Sequence, residues 1–261
     1  MRYLKLCFTY AAIQLKTQME YKLAFFVALT SQLLVALASV LTMSFILNRF
    51  GSIGSFTLEH SMLCCSVGTL GFSLARCFFG GFDKFQSLII SGSLDSTLIR
   101  PLNPVFHVLI SNLRFERLGS AVSSLAVLAY AVTRSGLWSE PVRLAVLAFM
   151  VMGAAAFFSG IYLLYATLCF FTLDGLEFVN VLTHGLTDLG KYPMGVYGRA
   201  MLTFFTVVLP FAAAQYYPLL YVIGRDTRPI MALSPAACIV FLLPCIGLWY
   251  LGLSKYQSTG S

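Results

Sequence analysis

The sequence predicts an all-α integral membrane protein with six transmembrane helices. Hydrophobic residues make up 59% of its 261 residues, and charged residues only 10%. A soluble domain carries about 25% charged residues, so this chain lacks the charge that a water-facing surface needs. Long uncharged stretches lie between the charged residues, and about 20 apolar residues can cross a bilayer as a helix. The lipid bilayer is therefore the predicted solvent for most of the chain.

Hydropathy places the six spans in order along the chain. Four stretches without a charged residue can each cross a membrane alone, at 23–48, 144–173, 200–224 and 229–254. Two weaker stretches each contain one arginine. Arg76 lies near a span end, where a long side chain reaches the headgroups, although a charge inside a span is also a candidate functional group. Arg134 precedes Trp138, an expected interfacial anchor. The predicted spans are 23–47, 60–80, 117–137, 144–171, 199–221 and 232–253.

The distribution of Lys and Arg predicts the orientation. With the N-terminus inside, inner segments hold 12 of the 17 basic residues, with Lys191 and Arg199 counted as inner. The positive-inside rule then places both termini in the cytoplasm. The same bias accounts for the net charge of +7 without nucleic acid as a partner. We expect a multi-pass protein of the cytoplasmic (inner) membrane of a bacterium, folded as one domain over 1–261.

Three prolines mark an unusual segment before the last span. Pro210, Pro218 and Pro229 interrupt the otherwise apolar residues 207–231. Proline breaks helices, and broken helix at membrane depth is tolerated only where protein shields it or where it lines a cavity. A re-entrant outer hairpin between spans 5 and 6 fits this pattern. A single kinked span followed by a short loop is the alternative.

The predicted cytoplasmic segment 81–116, between spans 2 and 3, contains two short amphipathic helices. Phe85, Leu88 and Ile89 share one helical face at i, i+3 and i+4 spacing. Gly92 ends this first helix. On the pattern alone, the segment is an interfacial helix pair lying on the inner leaflet.

The second short helix begins just after that glycine. Ser93 or Asp95 is its expected N-cap, and its apolar face carries Leu94 and Leu98. It ends before Pro101, which favours extended backbone at the residue preceding it.

Residues 92–104 read GSLDSTLIRPLNP. This stretch resembles the cytoplasmic connection between the second and third spans in permease subunits of type-2 ATP-binding-cassette (ABC) exporters. The closest branch has six-span permeases of similar length. The number of spans, the topology and the proline-broken segment before the last span also agree with that family.

The resemblance implies a mechanism and a set of partners. Two permeases, identical or related, would pair in the bilayer, and two cytoplasmic ABC ATPase subunits would dock beneath them. The chain has no GxxxxGK[ST] phosphate-binding loop, so ATP and Mg²⁺ are expected on the ATPase and no cofactor on this chain. The cargo is expected to be a hydrophobic or amphiphilic drug-like compound, lipid or peptide, exported by alternating access.

The resemblance also implies roles for individual residues in the segment. The residues expected to couple it to the ATPase are Phe85, Leu88, Ile89, Gly92, Leu94, Asp95, Leu98, Arg100 and Pro101. The apolar members would dock on the ATPase. Asp95 and Arg100 would set the orientation, by pairing with each other or with charges on the ATPase.

No catalytic residue and no metal ligand is predicted, because His60, His107 and His184 fall in different segments without ligand spacing. Tyr162 and Tyr165 are the candidates for lining a cargo pathway. No span shows a row of charges, so a pathway for inorganic ions or sugar phosphates is not expected. The alternative function is a polytopic membrane enzyme or assembly factor without an ATPase partner.

Overall fold

The computed structural model describes residues 2–50, 56–100, 103–172 and 176–256. The chain is 84% helical. Short 3₁₀ turns at Gly80–Lys84, Phe115–Arg117, Leu137–Ser139 and Met194–Tyr197 join some of the helices. The α-helices are α1 (Arg2–Gln18), α2 (Lys22–Phe50), α3 (Leu58–Phe79), α4 (Phe85–Ile90), α5 (Ser93–Leu98), α6 (Pro104–Ser111), α7 (Leu118–Arg134), α8 (Pro141–Cys169), α9 (Leu176–Leu189), α10 (Arg199–Val207), α11 (Phe211–Val222), α12 (Pro229–Leu233) and α13 (Ala236–Lys255).

Five segments of the described chain are long and apolar enough to cross a membrane. They contain α2, α3, α7, α8 and the α12–α13 pair, and they coincide with predicted spans 1 to 4 and 6. The sequence prediction of an all-helical, multi-span membrane protein is therefore confirmed.

The long helix α8 lies at the centre of the bundle and packs against α3, α11 and α13. Small residues allow these helices to approach closely. A Cβ atom built on Gly71 of α3 would lie 2.5 Å from the Cβ of Ala154, and one on Gly153 would lie 2.7 Å from the Cβ of Pro235. The small residues of α8 thus pack within the subunit itself.

The predicted fifth span, 199–221, is not one continuous helix. Helices α10 and α11 are separated by Val208–Pro210 and are bent by 113° relative to each other. A bend larger than 90° turns the chain back toward the side from which α10 came. Near the break, the Cys238 thiol donates to the carbonyl of Pro210 at 2.9 Å, and Phe211 packs against Phe157 with ring centroids 5.2 Å apart. This geometry favours the re-entrant alternative over the kinked span.

The residues between the fourth and fifth predicted spans contain an additional helix inside the bundle. The ring of His184 in α9 lies 5.7 Å from that of Phe72 in α3. Just beyond the end of α9, the side-chain nitrogen Nε2 of Gln215 donates to the backbone carbonyls of both Gly190 and Cys64. Helix α9 therefore follows α3 over the eight residues from Phe72 to Cys64, about 12 Å of helix.

From the sequence, residues 172–198 are an inner connection that allows an amphipathic helix along it, and the structure has α9 there, beside α3. Helix α9 is not among the segments that are long and apolar enough to cross a membrane, for two physical reasons. The helix has only 14 residues, about 21 Å, and polar side chains interrupt its apolar face. A helix that lines a polar cavity does not need the uniform apolarity of a lipid-facing span.

Candidate functional site

The segment 81–116 is anchored on the permease by buried aromatic side chains. Phe85 of α4 is fully buried. Its ring lies 5.2 Å from that of Phe170, just after α8, and 6.4 Å from that of Trp249 in α13. Ile89 and Leu94 are also buried in this cluster. The apolar face that the periodicity predicted is real, but it packs on the ends of α8 and α13.

The predicted docking residues differ in how much surface they expose. Phe85, Ile89 and Leu94 have almost no free surface to offer a partner, and Leu88 and Leu98 pack partly against the same core. Among the described residues of the segment, the exposed large apolar side chains are Ile90 and Ile99, at 60% and 85% exposure. In the sequence, both isoleucines lie off the i, i+3, i+4 apolar face, and this spacing could have indicated that they are exposed.

Gly92 separates α4 from α5 and requires a glycine. Its φ is 66°, in the left-handed region, which a side chain disfavours. The amide of Gly92 donates to the carbonyl of Ile89 at 3.1 Å, and its own carbonyl accepts from the amide of Asp95 at 3.2 Å. Gly92 is also the N-cap of α5, so the predicted cap at Ser93 or Asp95 is wrong.

Arg100 contacts α6 rather than standing free. Its Nη1 lies 3.0 Å from Nε2 of His107, whose other ring nitrogen lies 3.4 Å from the hydroxyl of Ser111. Burial and the neighbouring Arg100 charge lower the pKa of His107. Burial and the nearby Asp95 carboxylate raise the pKa of Tyr256, just after α13. Pro101 lies outside the described residues.

Two glutamines tie the N-terminal helix α1 to the end of this segment. The side-chain amide of Gln14 donates to the carbonyl of Ser111 at 2.5 Å. That of Gln18 donates to the carbonyl of Leu113 at 2.6 Å, and its oxygen accepts from the amide of Phe115 at 3.0 Å. The segment is therefore held on three sides, by α1, α8 and α13.

A polar cavity of about 310 Å³ lies between α2, α3, the start of α7 and α9. Hydroxyl-bearing and charged residues are numerous in its lining, although apolar atoms supply the larger part of the wall. The lining residues are Gln32, Val35, Ser39, Val40, Cys65, Ser66, Thr69, Phe72, Arg76, Arg117, Ser120, Ser124, Val127, His184, Thr187, Asp188 and Lys191.

Hydrogen bonds within and between helices hold the hydroxyl groups of this region in place. Ser73 of α3 donates to the hydroxyl of Ser120 of α7 at 2.9 Å. Thr69 donates to the carbonyl of Cys65 at 2.7 Å, within its own helix. Such internal bonds let hydroxyl side chains sit in a bilayer without losing their hydrogen bonds.

The lining of the cavity contains three basic residues, Arg76, Arg117 and Lys191, and one acidic residue, Asp188. Lys191 forms a 2.8 Å ion pair with Asp188. Arg76 stands 5.6 Å over the ring of Phe72, and its Nε is buried without a hydrogen-bond partner. Arg76 therefore lines the cavity.

Tyr162 and Tyr165, the predicted pathway residues, do not line this cavity. Both are buried in the core, with 2% and 1% exposure. The sequence did contain a signal for the true lining. On α3, Ser66, Thr69 and Arg76 recur at helical spacing, and His184 and Thr187 on α9 continue to Lys191, just after that helix, at the same kind of spacing.

The chain combines apolar helices long enough to cross a membrane, a cavity with polar residues between them, and a separate segment anchored on the ends of α8 and α13. This combination suits a membrane transport protein. Residues 33–260 match a family model described as ABC-2 family transporter protein. The chain therefore belongs to the ABC-2 transporter family, as the resemblance of residues 92–104 predicted. A search of curated proteins and a search of solved structures found no match.

Proposed function

We propose that this chain is the membrane permease subunit of an ATP-driven ABC exporter. Separate cytoplasmic ATPase subunits, two per transporter, bind ATP and Mg²⁺ and dock on the segment 81–116. A second permease, identical or related, completes the membrane part. The cargo is hydrophobic or amphiphilic, and the complex resides in the inner membrane of a bacterium. The chain itself performs transport rather than catalysis.

The observation that carries this proposal is the pair of exposed isoleucines on an anchored segment. Ile90 and Ile99 expose most of their apolar surface, while Phe85 beside them is fixed between Phe170 and Trp249. Exposed apolar groups on a rigid support suit a protein partner that buries them. A push on this surface reaches α8 and α13 through the aromatic contacts.

We assign the fifth crossing to α9 and the outer re-entrant hairpin to α10 and α11. This keeps six crossings and both termini in the cytoplasm. Lys191 and Arg199 then move to the outer side, and the basic residues divide 10 inside to 7 outside. The inner excess is smaller than the sequence count suggested, but its sign is the same.

The polar cavity is the proposed start of the cargo route. It lies among four helices rather than in the aromatic core, and α3 connects it directly to the segment 81–116. A shift of that segment therefore changes the shape of the cavity wall, which is what alternating access requires.

The test compares exposed and buried apolar residues of the segment. The chain is expressed with the ATPase from its native membrane, and co-purification and stimulated ATP hydrolysis are measured. We expect Ile90→Ser and Ile99→Ser to change stability by no more than about 0.5 kcal/mol while reducing ATPase recovery at least about tenfold. Phe85→Ala should destabilise the permease by about 3–5 kcal/mol.

Ile230→Ser is the matched control, because Ile230 of α12 is 70% exposed but lies outside the segment. It should leave both ATPase recovery and stability unchanged. The proposal fails if no ATPase co-purifies with the unaltered chain. It also fails if the double variant of Ile90 and Ile99 retains full ATPase coupling.

A further inference from the structure

One end of the polar cavity carries more positive than negative charge. Arg76 of α3 and Arg117 at the start of α7 both line it. The Nε atoms of both are buried and lack a hydrogen-bond partner. Within the described residues, Arg76 has neither a hydrogen bond nor an ion pair, and its charge rests against the ring of Phe72.

The two carboxylates with short ion pairs nearby form those pairs with other residues, although the Asp83 carboxylate also interacts electrostatically with Arg76 and Arg117. Asp83 pairs with Arg114 at 3.5 Å, and Asp188 pairs with Lys191 at 2.8 Å. Glu116 approaches Arg117 only to 3.9 Å. A guanidinium group without an anionic partner is costly inside a membrane protein. Arg76 is such a group, and the pair of Arg117 with Glu116 is long, so the cavity leaves room for an anion from outside the chain.

We propose that this cavity binds the anionic headgroup of an amphiphile between Arg76 and Arg117. Guanidinium groups form paired, charge-assisted hydrogen bonds with carboxylate, sulfate and phosphate oxygens. The apolar tail lies against Val35, Val40 and Val127, which line the same cavity on α2 and α7. The inference rests on the proposed role of the cavity in transport and specifies the class of cargo.

The geometry also discriminates against the other classes of amphiphile. A cationic headgroup would add to the positive charge of the two arginines, and a neutral headgroup would bring no negative charge to pair with Arg76. The cavity volume of about 310 Å³ lies at the small end of ligand pockets. It has room for a headgroup and the first part of a chain, and the remaining tail would extend toward the lipid beside the mostly exposed helix α2.

The test measures binding to the full chain in nanodiscs of phosphatidylcholine, without an ATPase. The probes are a dansyl-labelled undecanoate, its methyl ester and a dansyl-labelled alkyl ammonium of the same length, followed by fluorescence. We expect the carboxylate to bind at least about tenfold more tightly than the ester, from charge-assisted hydrogen bonds. The ammonium probe should not compete with it.

Arg76→Gln and Arg117→Gln should each remove most of the preference for the carboxylate. Arg76→Lys keeps the charge and should retain part of it. Arg134→Gln is the matched control, since Arg134 is an exposed arginine at the other end of α7 that contacts Tyr130. Thermal unfolding of each variant in the same nanodiscs shows whether the fold is kept.

A second arm identifies the source of the anion. Phosphatidylglycerol added to the nanodiscs should displace the probe if the natural headgroup belongs to a membrane lipid. If it does not displace the probe, the anion belongs to a freely diffusing amphiphile, and either result agrees with an anion site.

Equal binding of carboxylate and ester overturns the inference, as does full carboxylate preference in both glutamine variants. Because this assay contains no ATPase, such a failure leaves the permease assignment standing. Loss of ATPase co-purification with carboxylate binding intact would instead remove the proposed exporter function.

Discussion

The close contact between α3 and α8 gives a prediction whose size follows from the structure. A Cβ atom at Gly71 would lie 2.5 Å from the Cβ of Ala154 and 2.9 Å from the amide nitrogen of Ala155. Apolar atoms in contact are about 3.5–4.0 Å apart, so Gly71→Ala forces the two helices apart by about 1 Å. Overpacking of this kind costs about 1–3 kcal/mol. The better helix propensity of alanine offsets about 1 kcal/mol of that cost.

The control is Gly247→Ala in α13, where an added Cβ meets no atom within 4 Å. This variant keeps the propensity gain without the clash. We therefore expect the free energies of unfolding of the two variants to differ by about 1–3 kcal/mol, measured by denaturation in one detergent. Combining Gly71→Ala with Ala154→Gly should recover part of the loss. Equal stability of the two single variants would refute the close packing of α3 on α8 at Gly71.

Two further predictions concern the segment 81–116. Gly92→Ala should lower the free energy of unfolding by about 1 kcal/mol because φ is positive there, and Gly92→Asn should cost less; thermal unfolding of both variants checks this. The folded pKa of His107 lies below its ordinary value of 6.5, so its contribution to stability is full above pH 6.5. As the pH falls through 6.5, His107 takes up a proton more readily in the unfolded chain than in the folded one, so the free energy of unfolding declines. His107→Gln should remove this pH dependence, which unfolding scans between about pH 7 and 5 would measure.

The apolar crossings could be predicted from the sequence because each one meets its constraint locally. The uncharged stretch 23–48 must span a bilayer whatever surrounds it, and the structure has a helix at Lys22–Phe50. The helix end at Gly92 could also be predicted, since glycine after a short amphipathic pattern ends a helix. These features depend on composition and spacing over a few turns.

The remaining features depend on contacts between distant residues. The periodicity of Phe85 and Ile89 identified an apolar face, but a periodic face does not state whether it meets lipid, a partner or the same chain. The face is buried within the same chain because Phe170 and Trp249, which are distant in sequence, pack against it. The position of helix α9 beside α3 could not be predicted for a related reason, because its polar side chains face a cavity whose walls come from four separate segments.

Helix α3 joins the two proposed sites in one continuous piece of structure. Arg76 lies three residues before the end of α3, and only the 3₁₀ turn Gly80–Lys84 separates that helix from Phe85 in α4. Helical turns transmit displacement because their backbone hydrogen bonds resist stretching. If an ATPase moves the surface around Ile99, the same displacement reaches the guanidinium group of Arg76. Coupling between ATP hydrolysis and the affinity of the cavity for an anion then needs no further element.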